Sequence, residues 1–329
     1  MTMHSSVELH SVWKEYPAQR RLRRDTAVRA PAVADLTLSV EAGEVVGLLG
    51  PNGAGKSTAL GMMAGLITPT AGRILIGGAD IVRRRRDAVA RIGMVFDRGR
   101  TLYPRMTAYE NIEYFAALRG AGGRRALSAA SREWIRFFGM ERWVAMPVND
   151  LSMGMRQKVS IAASLCARPQ VLLMDEPTLG LDVQSSVELR ALIRRLAQDE
   201  GRSVIISTHQ MDMAQDVCDR VCILSEGRVL ALDRVSALLS LFAARAYRID
   251  LTGELESAAR DGLGRIGRVR ISREDGRTVV WIDVASQARL FEAMDLLRAA
   301  QIGVESVGRV EPCLEKVFLE LTGKPRYAR

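Results

Sequence analysis

Nine consecutive residues constrain this chain more than any others: Gly50-Pro51-Asn52-Gly53-Ala54-Gly55-Lys56-Ser57-Thr58, set directly behind the apolar run Val45–Leu49. They fit the pattern G-x-x-x-x-G-K-[ST], which requires a strand before it and a helix after it. The glycines let backbone N–H groups close around phosphates at a helix N-terminus. Lys56 supplies a point charge for the β and γ phosphates, and Ser57 offers a hydroxyl to Mg²⁺. A turn made only for shape would need the glycines but neither the lysine nor the hydroxyls. Residues 50–58 are therefore expected to hold a nucleoside triphosphate with Mg²⁺.

A second part of the same chemistry lies far along the chain. Asp175 ends the apolar run 171–174 and Glu176 follows it. A carboxylate at a strand end can hold Mg²⁺ through water, and its neighbour can orient and deprotonate an attacking water. Runs 171–174 and 204–207 read as buried strands separated by a helix over 185–199, which implies a parallel sheet with crossover helices. Upstream, residues 36–46 read as short strands around a turn at Ala42-Gly43, and 72–81 is β-rich. The arginines at 83–86 open a predicted helix ending near Ile92, with a solvated face. Thr107-Ala108-Tyr109-Glu110 has capping-box spacing ahead of a helix to Leu118. Further helices are expected over 131–138 and 152–167, with Pro147 in the connection between them. The expected fold class is α/β, a P-loop NTPase with a mixed or parallel sheet.

Past Leu241 the pattern changes. Predicted elements are strand 247–251, helix 255–261, strands 268–272 and 278–284, helix 287–300 and strand 304–310, in the order β-α-β-β-α-β. Asp275-Gly276 is a hairpin signal between the middle strands. This order predicts a small α+β ferredoxin-like domain, so the expected division is 1–240 and 241–329. A closing helix begins near Pro312, ends near Gly323, and shows one apolar face at Leu314, Val317, Phe318 and Leu321.

The run Leu151-Ser152-Met153-Gly154-Met155-Arg156-Gln157-Lys158, ahead of 171–177, makes the chain resemble the ATP-binding-cassette (ABC) ATPase family over about residues 7–235. The resemblance implies that this signature helix faces the nucleotide of a second copy. Ser152 and Gly154 would then complete a head-to-tail dimer enclosing ATP. It also implies that Tyr16, beside a basic insertion at 19–29, stacks on adenine. Asp182 in Gly180-Leu181-Asp182 would lie in the dimer-contact loop, and His209 would sense the γ-phosphate. With Lys56 and Glu176, His209 completes the expected catalytic set.

Two departures stand out. Met153 occupies a position where the family has glycine, so its side chain must turn away from phosphate for the site to close. Asp97, after Phe96, stands where the family has glutamine, and Arg98-Gly99-Arg100 follows. An ionised carboxylate only accepts hydrogen bonds and adds negative charge near phosphates. Asp97 is expected to join Ser57 and Asp175 at the metal and to link it to a membrane partner. The stretch 102–107 with Glu110-Asn111, and Leu314-Glu315-Lys316-Val317-Phe318, look like bacterial exporters of drugs, lipids, polysaccharides or peptides whose membrane channel is a separate chain.

Composition narrows the remaining choices. No apolar run approaches the roughly 18 residues that span a bilayer, so the resemblance to a transporter implies a separate transmembrane permease subunit. The first sixteen residues lack the pattern of a secretion signal, and the expected location is the cytoplasmic face of the membrane. The four cysteines lack paired ligand spacing. Cys218 and Cys222, four apart, are expected in a helix as reduced, packed thiols. The net charge of +9 suits nucleic acid as well as nucleotide or lipid. A mechanical cassette ATPase acting on ribosomes or DNA is the rival reading. Relatives of that kind carry two cassettes or long coiled coils, whereas this chain has one phosphate loop and no sustained heptads, so no nucleic-acid partner is expected.

Overall fold

The structure, a computed structural model, describes residues 5–17, 30–96, 101–118, 124–241, 246–274, 276–310 and 313–322. Asp97, the run Arg98-Gly99-Arg100, the basic insertion at 19–29, Asp275, Pro312 and Gly323 lie outside them. The chain divides into two compact units whose main parts are Met1–Val235 and Ser236–Glu320.

In the first unit, β1 (Ser5–Lys14) pairs antiparallel with β2 (Val33–Glu41), whose residues alternate buried and exposed as a half-buried strand requires. The short loop at Ala42-Gly43 leads from β2 into β3 (Val45–Leu49), where every residue is buried. Helix α1 (Lys56–Met63) follows the phosphate loop. β4 (Ala71–Ile76) and β5 (Ala79–Asp80) complete an antiparallel sheet of order β2-β1-β4-β5.

After α2 (Arg85–Val89) come β6 (Ile92–Val95), α3 (Ala108–Leu118), α4 (Arg124–Phe137), α5 (Met153–Leu165), β7 (Val171–Asp175), α6 (Val183–Gln198), β8 (Ser203–Thr208), α7 (Met211–Val217), β9 (Arg220–Ser225) and β10 (Arg228–Arg234). A short α8 (Val235–Leu241) follows. The second sheet has order β10-β9-β3-β8-β7-β6 and is parallel except for β10, so it is mixed. Leu36, Leu48, Ile74, Leu173 and Ile205, drawn from both sheets, share one buried core. Each such side chain contributes about 1.5–3 kcal/mol by leaving water.

The second unit runs β11 (Ala246–Leu251), α9 (Ser257–Ile266), β12 (Arg268–Glu274), β13 (Arg277–Asp283), α10 (Gln287–Ala299), β14 (Val304–Arg309) and α11 (Leu314–Leu321). Its sheet is antiparallel throughout with order β12-β13-β11-β14, which is the ferredoxin-like arrangement. Ile249, Leu263, Val280, Ile282, Ala293 and Leu297 belong to a core of its own.

Four expectations are corrected. The arginine-opened helix stops at Val89, not near Ile92, because the Arg91 carbonyl accepts from the backbone of Gln170 and Val171 and begins strand pairing there. Helix α4 begins at Arg124 rather than 131. Helix α9 spans Ser257–Ile266 rather than 255–261. Gly262 does not stop that helix; a β-carbon there would overlap Leu296 of α10, so the glycine lets two helices approach closely. Cys218 and Cys222 do not share a helix: Cys218 closes α7 and Cys222 lies in β9. Both are buried free thiols, as is Cys166. Burial pushes Cys222 up to about 12, and Cys218 higher still.

Candidate functional site

Three parallel strands end side by side. Leu49 of β3 lies opposite Thr208 of β8, and Ser207 of β8 lies opposite Asp175 of β7. The loop Gly50–Gly55 therefore opens beside the carboxyl ends of β7 and β8, where open α/β sheets bind ligands. A cavity of about 560 Å³ there is lined by Ala32, Asn52, Gly53, Ala54, Gly55, Lys56, Ser57, Thr58, Asp175, Glu176, Leu179 and His209.

The loop holds its form for local reasons. Gly55 precedes α1 at φ +104°, and a β-carbon on it would overlap the Ala32 carbonyl oxygen. Gly50 stands under the same constraint against the Leu224 carbonyl. Lys56, the first residue of α1, is 6% exposed. Its ammonium donates to the carbonyl oxygens of Gly50 at 2.6 Å and Pro51 at 3.1 Å. Burial lowers the lysine pKa, and the charges of Glu176 and Asp175 oppose that shift. The cation thus rests on carbonyls that an incoming phosphate can replace.

Asp175 is held from two sides. Its Oδ1 accepts from Ser57 Oγ at 3.3 Å and from Ser207 Oγ. A serine hydroxyl and one carboxylate are hard oxygen donors, which suits Mg²⁺, an ion that keeps its remaining positions for water and phosphate. Among the described residues no cluster of three or more His, Cys, Asp or Glu forms a closed metal cage.

Glu176 has φ +46°, uncommon for a residue with a side chain, and its backbone N–H donates to the Ser207 carbonyl at 2.9 Å. Its carboxylate is gripped at both oxygens, by His209 Nδ1 at 2.8 Å and by Thr208 Oγ1 at 3.0 Å. A carboxylate fixed in this way beside a phosphate loop is suited to orient water and accept its proton.

Of the other predicted residues that the structure describes, Tyr16, Ser152, Gly154 and Asp182 lie outside the cavity lining. Ser152 caps α5, accepting from the Met155 backbone N–H at 3.2 Å, and Gly154 sits in the first turn of that helix. Asp182 caps α6, accepting from both the N–H and the hydroxyl of Ser185 at 2.8 Å; these bonds lower its pKa. Tyr16 is exposed under the Lys14 ammonium, 5.1 Å from the ring centre. Met153 lies where a side chain on Gly180 would be, so it covers the loop leading to Asp182.

Sequence reasoning passed over Ser207, Thr208, Thr178, Gln157 and Gln210. Gln157 is buried and donates to the Pro177 carbonyl at 3.3 Å, tying α5 to the turn after Glu176. The available signal was the pair of hydroxyls, Ser207-Thr208, closing an otherwise apolar strand just before His209.

A phosphate loop, a strand-end acid pair and a histidine in one cavity define a P-loop ATPase. The sequence model of the ABC transporter family matches residues 33–179. The linearmycin resistance ATP-binding protein LnrL of Bacillus subtilis (strain 168) is 31% identical over 298 residues, covering 89% of this chain and 94% of that protein. The chain belongs to the ATP-binding proteins of ABC transporters and is an ATPase. The Fe(3+) ions import ATP-binding protein FbpC of Rhizobium etli is 40% identical over 201 residues, covering 60% of this chain and 55% of that protein. Among solved structures, the ATP-binding cassette MJ0796 in a dimeric, post-hydrolysis state bound to ADP and Pi matches with TM-score 0.62 and 28% identity, covering 70% of this chain and 98% of that one.

Proposed function

We propose that this chain is the engine of an exporter. It pairs head-to-tail with a second copy, encloses ATP and Mg²⁺, and drives a separate transmembrane permease from the cytoplasmic face of the membrane. The observation that carries the ATPase part is the grip of His209 and Thr208 on Glu176, 2.8 and 3.0 Å from its two oxygens, inside the phosphate-loop cavity. Ser57 and Asp175 would hold Mg²⁺, which when bound offsets charge on the phosphates. Glu176 orients the attacking water and takes its proton, while Lys56 stabilises charge building on the phosphoryl oxygens. Ser152 and Gly154 at the start of α5 stand ready to face the partner's nucleotide. Tyr16 is assigned to the adenine, and Asp182 to the contact between copies.

Support for export comes from the length of likeness. The match to the Nod factor export ATP-binding protein I of Burkholderia lata, 35% identical over 299 residues, runs over 89% of the chain, whereas the match to the Fe(3+) importer covers 60%. Among the described residues no helix is long and apolar enough to cross a membrane, so the channel is assigned to another chain. Asp97 is assigned to the metal and its coupling to that channel. Slowed or retimed hydrolysis in Asp97→Gln or Asp97→Ala supports the assignment, and wild-type rates in both remove it.

Glu176→Gln tests the centre of this reading. The variant is expected to bind ATP as tightly as the wild type, lose turnover by about a hundredfold or more, and sediment as a dimer in ATP. Undiminished hydrolysis removes Glu176 as the base. Co-purification with a membrane protein that changes the ATPase rate supports the transporter assignment; recovery on ribosomes overturns it.

A further inference from the structure

Glu176 cannot owe its orientation to its own backbone, which sits in the left-handed region at φ +46°. A residue with a side chain is held in that region only where surrounding contacts fix it. His209 holds one carboxylate oxygen, but its side chain is 49% exposed, so it faces the solvent that nucleotide would replace. Thr208, the last residue of β8, is fully buried.

The Thr208 hydroxyl has only one orientation that satisfies its neighbours. Its oxygen accepts from the Gln210 backbone N–H at 3.0 Å, so its proton is directed at Glu176 Oε2, 3.0 Å away. The Gln210 side chain is held in turn: its Oε1 accepts from Thr178 Oγ1 at 2.7 Å. The turn after β8 and the turn after β7 are thereby stitched together at Thr208, His209 and Gln210.

We propose that Thr208 is a positioning residue for hydrolysis: it anchors Oε2 of Glu176 and leaves Oε1 as the oxygen that takes the water proton once the His209 ring engages nucleotide. The inference rests on the assignment of Glu176 as the base. Thr208 does not line the cavity and acts through Glu176, by restricting its carboxylate to one rotamer. A carboxylate released from this bond keeps its charge but samples geometries in which no lone pair faces the water. The cost falls on turnover rather than on ATP affinity.

The test compares steady-state ATP hydrolysis and equilibrium ATP binding in full-length wild type, Thr208→Val, Thr208→Ser and Glu176→Gln. Valine keeps the shape but donates nothing, and is expected to lower kcat about ten- to a hundredfold while KM and the ATP dissociation constant stay within about threefold. Serine restores the donor and is expected to recover kcat to within about threefold of the wild type. Wild-type kcat in Thr208→Val overturns the proposal. So does a serine variant as slow as valine, or a valine variant whose loss lies in ATP binding, since a purely structural role would produce either. If Glu176→Gln hydrolyses at the wild-type rate, the assignment of the base itself falls, an outcome distinct from a dead Glu176→Gln beside an unaffected Thr208→Val.

Discussion

Lys56 shows how the side chain proposed to stabilise phosphoryl charge also holds its own loop together. Its ammonium bridges the Gly50 and Pro51 carbonyls and fastens the loop to the helix start. Lys56→Met removes the charge with little change of volume and is expected to weaken ATP binding about tenfold or more, read by equilibrium titration. Unchanged affinity would take Lys56 out of the phosphate site. The cysteines give an independent check at the same scale. Burial pushes Cys166 up to about 11 and Cys222 to about 12, and the thiolate is the reactive form. In the folded protein, iodoacetamide at neutral pH should therefore spare Cys166, Cys218 and Cys222 and react first at half-buried Cys313; equal labelling of all four before unfolding would contradict the buried placement. That Lys56, Ser57 and Asp175 come together in one cavity was legible from contiguous motifs in the sequence. The grip on Glu176 was not, because Thr208 and Gln210 are ordinary strand-end and turn residues until folding sets each against a partner 32 positions earlier in the chain.

At the level of elements, sequence patterns read best where a signal is local. The capping box is one: Thr107 Oγ1 accepts from the Glu110 N–H at 3.1 Å, while the Glu110 carboxylate accepts from the Thr107 N–H at 2.8 Å, and α3 spans the expected residues. They read worst where a glycine serves a neighbour rather than its own element, as Gly262 does for α10. The loop between β7 and α6 is a further case. Gly180 has φ +80°, and the Met153 methyl occupies the space a side chain there would need. Met153 thus turns onto this loop, and the bulk that departs from the family's glycine becomes a contact between the start of α5 and the approach to Asp182. Gly180→Ala is expected to cost about 1–3 kcal/mol, from strain at positive φ together with overlap with Met153. In a Met153→Ala background the overlap disappears and only the strain remains. Urea denaturation of the two single variants and the double variant gives the coupling directly. Costs that add to within about 0.5 kcal/mol would show that the two positions do not touch.

For the whole molecule, the β-α-β-β-α-β order was visible because each strand and helix is short and bounded by turn signals, whereas the strand order β12-β13-β11-β14 depends on long-range pairing that no local pattern encodes. That pairing has an energetic consequence. Ile249, Leu251, Leu263, Val280, Ile282, Val284, Leu290, Ala293 and Leu297 are buried in one cluster contributed wholly by the second unit. The four strands of its sheet pair in that linear order, with β12 and β14 at the edges. A sheet with its own apolar core and helices α9 and α10 meets the requirements of an independently folding domain, and a unit of this size retains a stability of only a few kcal/mol. A fragment of residues 236–322 is therefore expected to show the circular dichroism of a mixed α+β fold and one cooperative urea transition. The complementary fragment 1–235, which keeps the phosphate loop, Asp175, Glu176 and His209, should still bind ATP. An unfolded spectrum for 236–322, together with loss of ATP binding by 1–235, would mean that the two units fold as one and that the boundary near residue 235 is not a domain boundary.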